Sequence, residues 1–181
     1  MPSLAMADLK APTLTLPLPD TKDLDPSKIG PDGMPKIELS DEDYMKLLHG
    51  FLSGLLEMDI KEIEKVEGLE AVVGDLKKAV ESLCRKTPDV VGAAMSLISL
   101  VKSLQVIALN ADPNSEFAKK LTAFVNKLGN PMILNAKIAS NLAMNPVGVT
   151  ERILGTVMSL VKGDVTKAGP KLGEILSILT K

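Results

Sequence analysis

The sequence predicts an all-α protein: a bundle of about six or seven helices over residues 40–181, preceded by an extended, proline-rich arm over residues 1–39. Three observations carry this expectation. Seven of the twelve prolines fall at positions 2, 12, 17, 19, 26, 31 and 35, where φ is fixed and an amide donor is missing, so that stretch is expected to be extended or polyproline-like. Beyond Leu39 the apolar residues recur at helical spacing. Aromatic residues make up only 2% of the chain, with no Trp, so the core must be built from Leu, Val, Ile, Ala and Met, which suits packed helices.

The arm is not a purely polar tail. Leu14, Leu16 and Leu18 alternate with Thr and Pro, so an extended segment has apolar side chains to place, along the helical body or along a neighbour. These three leucines are candidate partner-binding residues. The first helix follows Ser40, with Asp43 three residues on, and sets Tyr44, Leu47, Leu48, Phe51, Leu52 and Leu55 on one face. A second helical region, Asp59 to Lys86, carries Ile60, Ile63, Val66, Leu69, Val72, Val73, Leu76, Val80 and Leu83, with a break expected near Gly68.

The next helix is expected to start at Thr87-Pro88, with proline in the first turn. Val90 to Val101 is uncharged, but this run is shorter than the roughly 20 apolar residues of a membrane span, and Lys102 interrupts any extension. A buried core helix and no integral membrane span are therefore expected. Asp112-Pro113, reinforced by Glu116, is read as a further start, with Gly129 ending that helix. Asn130-Pro131 and Asn145-Pro146 open two more by the same rule: asparagine accepts as an N-cap, and proline loses a donor that is unsatisfied there anyway. The repeated Asn-Pro is thus helix punctuation rather than a pore filter. Asp164 caps the last helix, in which Pro170 marks either a kink or the true start.

Chemistry-bearing patterns are few. His49 is the lone histidine and Cys84 the lone cysteine, which leaves no zinc set and no intrachain disulfide; a reducing compartment is compatible. A calcium loop beginning at Asp23 fails at both diagnostic positions, with Lys28 for glycine and Met34 for glutamate. No phosphate-binding glycine motif occurs. His49 and Ser53 are one helical turn apart, but "HGFLSG" sits in a continuous helical pattern and is no nucleophile elbow. Arg85 and Lys86 beside Cys84 would lower its pKa, while burial as a core thiol would make it inert.

Charge is divided along the chain, net −8 over residues 1–118 and +6 over residues 119–181. Such a division can orient a protein against a partner or a second copy of itself. The basic part has dispersed lysines, one arginine and no interleaved aromatics, so nucleic-acid binding is not expected. In the helix after Pro131, Lys137, Ser140 and Asn141 form a polar stripe on an otherwise apolar segment, and they join the candidate partner-binding residues. No targeting signal is read at the N-terminus.

The phrases "DLKKAVESL" and "LVKGDVTKAGPKLGEILSIL" resemble a helical domain that recurs in uncharacterised protist proteins, whose terminal helix has a Gly-Asp start followed by closely packing glycines. Gly163-Asp164, Gly169 and Gly173 are the matching positions, and most of that domain's cysteines are missing here. The resemblance implies an all-helical architecture and carries no activity.

The functional expectation is therefore a non-enzymatic helical structural or protein-interaction subunit without cofactors, whose arm docks on a protein partner or on itself. The alternative is a carrier of a lipid or other apolar ligand, or a membrane-active bundle. It rests on nine methionines and on the small residues Gly92, Ala93 and Ala94, which would allow an adaptable cavity.

Overall fold

The computed structural model describes residues 14–16, 26–31 and 33–181. Among them the chain forms eight α-helices and no named strand: α1 (Asp41–Leu56), α2 (Ile60–Glu64), α3 (Val73–Leu83), α4 (Val90–Ala111), α5 (Glu116–Leu128), α6 (Pro131–Met144), α7 (Pro146–Val161) and α8 (Val165–Leu179). The count exceeds the sequence expectation because the second helical region divides. Gly68 takes a left-handed φ of 87°, and a short 3-10 turn, Leu69–Val72, separates α2 from α3.

Ser40 caps α1 as expected: its hydroxyl accepts from the Asp43 N–H, and the Asp43 carboxylate accepts from the Ser40 N–H. Asn130 and Asn145 cap α6 and α7 with proline in the first turn, and Asp164 caps α8. Two expected starts are corrected. The cap of α4 is Asp89, not Thr87, because the Asp89 carboxylate reaches the Gly92 N–H at 2.9 Å. Likewise the cap of α5 is Ser115; Asp112 terminates α4 and turns its carboxylate to the Asn114 N–H. An aspartate or serine directly on the first turn outcompetes the upstream residue-proline pair.

The bundle is organised around two long contacts. α8 lies along α1 and α7, and α4 lies along α3 and α5, with α6 bridging α4, α7 and α8. The α1/α8 crossing is made by glycines on both sides. A Cβ at Gly169 would lie 2.7 Å from the Gly50 Cα and 2.8 Å from the Leu47 carbonyl oxygen, and one at Gly173 would lie 3.0 Å from the Phe51 carbonyl oxygen. Pro170 sits inside α8, packed on Gly50 and Gly54, so it neither starts the helix nor is excluded from it. At this crossing the backbones nearly touch, which only residues without side chains allow.

α4 also departs from expectation. It runs for 22 residues with a mean hydropathy of 1.8 over its most apolar window, long and apolar enough to cross a membrane by length and composition. The expectation that the segment is too short counted only the uncharged run before Lys102. In the bundle, 44% of that window is buried.

Candidate functional site: the seat of the N-terminal arm

The described part of the arm lies on the chain's own helical body. Leu14 and Leu16 are 7% and 1% exposed and belong to the main hydrophobic core, while Thr15 between them faces outward. That alternation is the two-residue period of an extended chain with one face buried. The Leu16 N–H donates to the Lys86 carbonyl oxygen at 2.8 Å, tying the segment to the loop between α3 and α4. Leu14 and Leu16, partner-binding candidates from the sequence, pack their side chains into this chain's own core. Leu18 lies outside the described residues.

The second anchor is Met34, 2% exposed. It is presented by a tight turn after the 3-10 turn Pro26–Lys28, closed by Gly30 N–H to Met34 O at 2.7 Å and Lys36 N–H to Lys28 O at 2.6 Å, with Ile29 and Pro35 bridged antiparallel. Residues 34–38 then wall a surface groove of about 410 Å³, closed on its other side by Tyr44 of α1 and by Val80, Glu81, Cys84 and Arg85 at the end of α3.

The electrostatics of this groove follow from burial. Burial pushes the Cys84 thiol up to about 12, so neighbouring Arg85 and Lys86 do not activate it, and it is a protonated thiol, half-buried against the core. Burial also raises the Tyr44 hydroxyl, with Glu81 and Cys84 adding to the shift. Outside, Lys77 stands 5.2 Å over the Tyr44 ring and 3.3 Å from Asp41, holding α3 to the start of α1.

The three residues of the polar stripe of α6 differ in their surroundings. Asn141 is half-buried, and its amide donates to the carbonyls of Leu179 at 2.7 Å and Lys181 at 3.2 Å. Its amide N–H groups thus serve the carboxyl end of α8 within this chain. Ser140 is exposed and Lys137 half-exposed on the same helix. Lys120 of α5 does the same service for α1, donating to the carbonyls of Leu56 and Glu57, each at 3.2 Å. Neither cross-helix cap is legible from local sequence, since each joins residues far apart in the chain.

Among the described residues no hydrogen bond joins His49 and Ser53. The Ser53 hydroxyl donates to the Met58 carbonyl at 2.6 Å, and burial lowers the His49 pKa, with Glu64 opposing. Among the described residues no three His, Cys, Asp or Glu side chains gather as a metal set. Ala93 and Ala94 are packed in the core. No protein-family model, curated protein or solved structure matches this chain.

Proposed function

We propose that the protein is a non-enzymatic helical interaction subunit whose body carries a seat for an extended Leu-x-Leu segment, filled in the isolated chain by its own arm. What supports the reading is the seating of Leu14 and Leu16 in the core, with the Leu16 N–H on the Lys86 carbonyl. Paired side-chain pockets plus main-chain hydrogen bonding is how extended peptides are held in grooves. A seat that takes this segment from its own chain takes the same segment from a second copy or a similar one from a partner. The tethered arm competes at an effective concentration near millimolar, so exchange favours crowded or pre-assembled partners.

The test is a labelled peptide covering residues 10–20 added to the full chain bearing Leu16→Asp, whose own arm cannot seat. Saturable binding that a Leu16→Asp peptide does not show is expected. Absence of binding to the folded variant refutes the seat, and unchanged self-association or partner assembly after arm release refutes its role in docking.

A second reading, an apolar-ligand carrier or a bundle that opens onto a membrane, is supported by the length and hydropathy of α4. Sedimentation with phosphatidylcholine and anionic vesicles tests the membrane form: a chain that stays in the supernatant with both refutes it.

A further inference from the structure

Large apolar side chains left in water are concentrated at α6. Six are exposed among the described residues, and four of them stand at the two ends of this helix. Met132, 87% exposed, and Ile133 lie in its first turn; Met144, 81% exposed, is its last residue, and Val147 follows just inside α7. Ile133, Lys137, Ser140 and Met144 recur at i, i+4, i+7 and i+11, so they form one line along the helix, and none of the four is buried. The opposite line, Leu134, Ile138 and Leu142, is buried in the bundle, where α6 contacts α4, α7 and α8. α6 therefore has a complete core face, and its outer apolar residues do nothing for the packing of this chain.

The charge around this face has one sign. Residues 117–150 contain four lysines and no acidic side chain. Lys120 is taken up by the end of α1 and by Glu116, whereas Lys119, Lys127 and Lys137 have no carboxylate partner among the described residues. The elements packed on α6 do not change the sign: α4 carries no acid, and Glu174 of α8 is paired with Arg152 at 3.7 Å. Glu151, one turn past Val147, closes the acid-free stretch.

We propose that the outer face of α6 docks on an anionic lipid bilayer, with the helix lying in the plane of the interface. Met132 and Ile133 at one end and Met144 and Val147 at the other enter the acyl boundary, and Lys137 between them meets the headgroup phosphates. Apolar insertion combined with lysine attraction to anionic headgroups is what holds interfacial helices, and the alkyl stem of a lysine lets its amine reach past apolar neighbours. The spacing favours a bilayer over a protein. Ile133 and Met144 are about 16 Å apart along the axis, with lysine and serine between them. A protein partner needs two sockets at that separation, whereas a bilayer accepts both ends without matching their shape. Docking leaves the bundle closed and depends neither on the arm seat nor on an opening at α4.

Flotation of the full chain with vesicles of phosphatidylcholine alone, and of phosphatidylcholine mixed with phosphatidylserine, tests the face. Binding to the mixed vesicles is expected to be about tenfold tighter than to phosphatidylcholine and to weaken as salt rises. The double variant Met132→Asp, Met144→Asp is expected to lose about tenfold or more in binding with melting little changed, because both side chains are already in water in the free chain. Lys137→Glu should weaken binding several-fold. The chain has no Trp, so Met144→Trp reports on one place: its emission should shift to the blue and be quenched by brominated acyl chains, while Val106→Trp on α4 should show neither. A chain that floats with neither vesicle, binding kept by the double variant, or quenching at position 106 rather than 144 overturns the proposal. So does an oligomer in lipid-free solution that the double variant dissociates, since the face then belongs to a second copy.

Discussion

Replacing Gly169 by alanine adds a single carbon where α8 crosses α1, and every atom it would strike is backbone: the Gly50 Cα at 2.7 Å, the Gly50 carbonyl carbon at 2.8 Å and the Leu47 oxygen at 2.8 Å. None can rotate away, so the helices must separate, loosening the contact that Gly54, Pro170 and Gly173 also share. Overpacking of this kind costs about 3 kcal/mol at the upper end of its usual range, and alanine returns about 1 kcal/mol of helix propensity. A net loss of about 2 kcal/mol is expected, lowering Tm by roughly 4–8 °C for a chain of this size. The matched control is Gly74→Ala, also inside a helix, where nothing lies within 4 Å of the added carbon. There the same substitution should stabilise by up to about 1 kcal/mol. Urea denaturation of both variants measures the pair. If Gly169→Ala is as stable as the parent, the crossing is looser than these distances, and the account of α1/α8 packing fails.

Asn141→Ala removes both hydrogen bonds to the end of α8 and should cost about 1 kcal/mol, with hydrogen exchange rising selectively at residues 176–180; unchanged exchange there would refute the cap. Cys84 should react with a disulfide reagent far more slowly than a free thiol at pH 8, because burial holds it protonated, and Leu16→Asp should speed labelling if the arm seat shields that end of α3. His49 titrates below its ordinary 6.5 in the folded chain, so the unfolded chain binds more protons at mildly acidic pH. Its neutral form therefore adds stability that is present above about pH 6.5 and lost as pH falls through the lower folded value. His49→Gln should reduce the loss of stability between neutral and mildly acidic pH, and an identical pH profile would show that the histidine is not desolvated.

The helices were legible because periodicity and caps are local. Ser40, Asn130, Asn145 and Asp164 each act on amides within three residues, so sequence spacing is enough to place them. Thr87-Pro88 and Asp112-Pro113 misled because two acceptors stand close together and the choice between them depends on which carboxylate or hydroxyl meets the first turn. The site was less legible for a different reason. Alternating leucines at 14 and 16 say that an extended strand has one apolar face, but not which surface covers it, and the answer depends on Lys86 and the core behind it. Gly50 and Gly54 were read only for their neighbours His49 and Ser53. Their meaning lies in Gly169 and Gly173 across the bundle, a complementarity that no single helix reveals.

The glycine crossing also bears on how the chain is made. α1 leaves the ribosome well before α8 is synthesised, so its Leu47, Phe51 and Gly54 face waits uncovered while α2 to α7 emerge. The backbone contact that locks the bundle joins elements at opposite ends of the helical sequence, which makes its closure a late event limited by a large loop. Until α8 arrives, the nascent chain presents an apolar helix face, and that interval is when a holding chaperone would matter most to this protein.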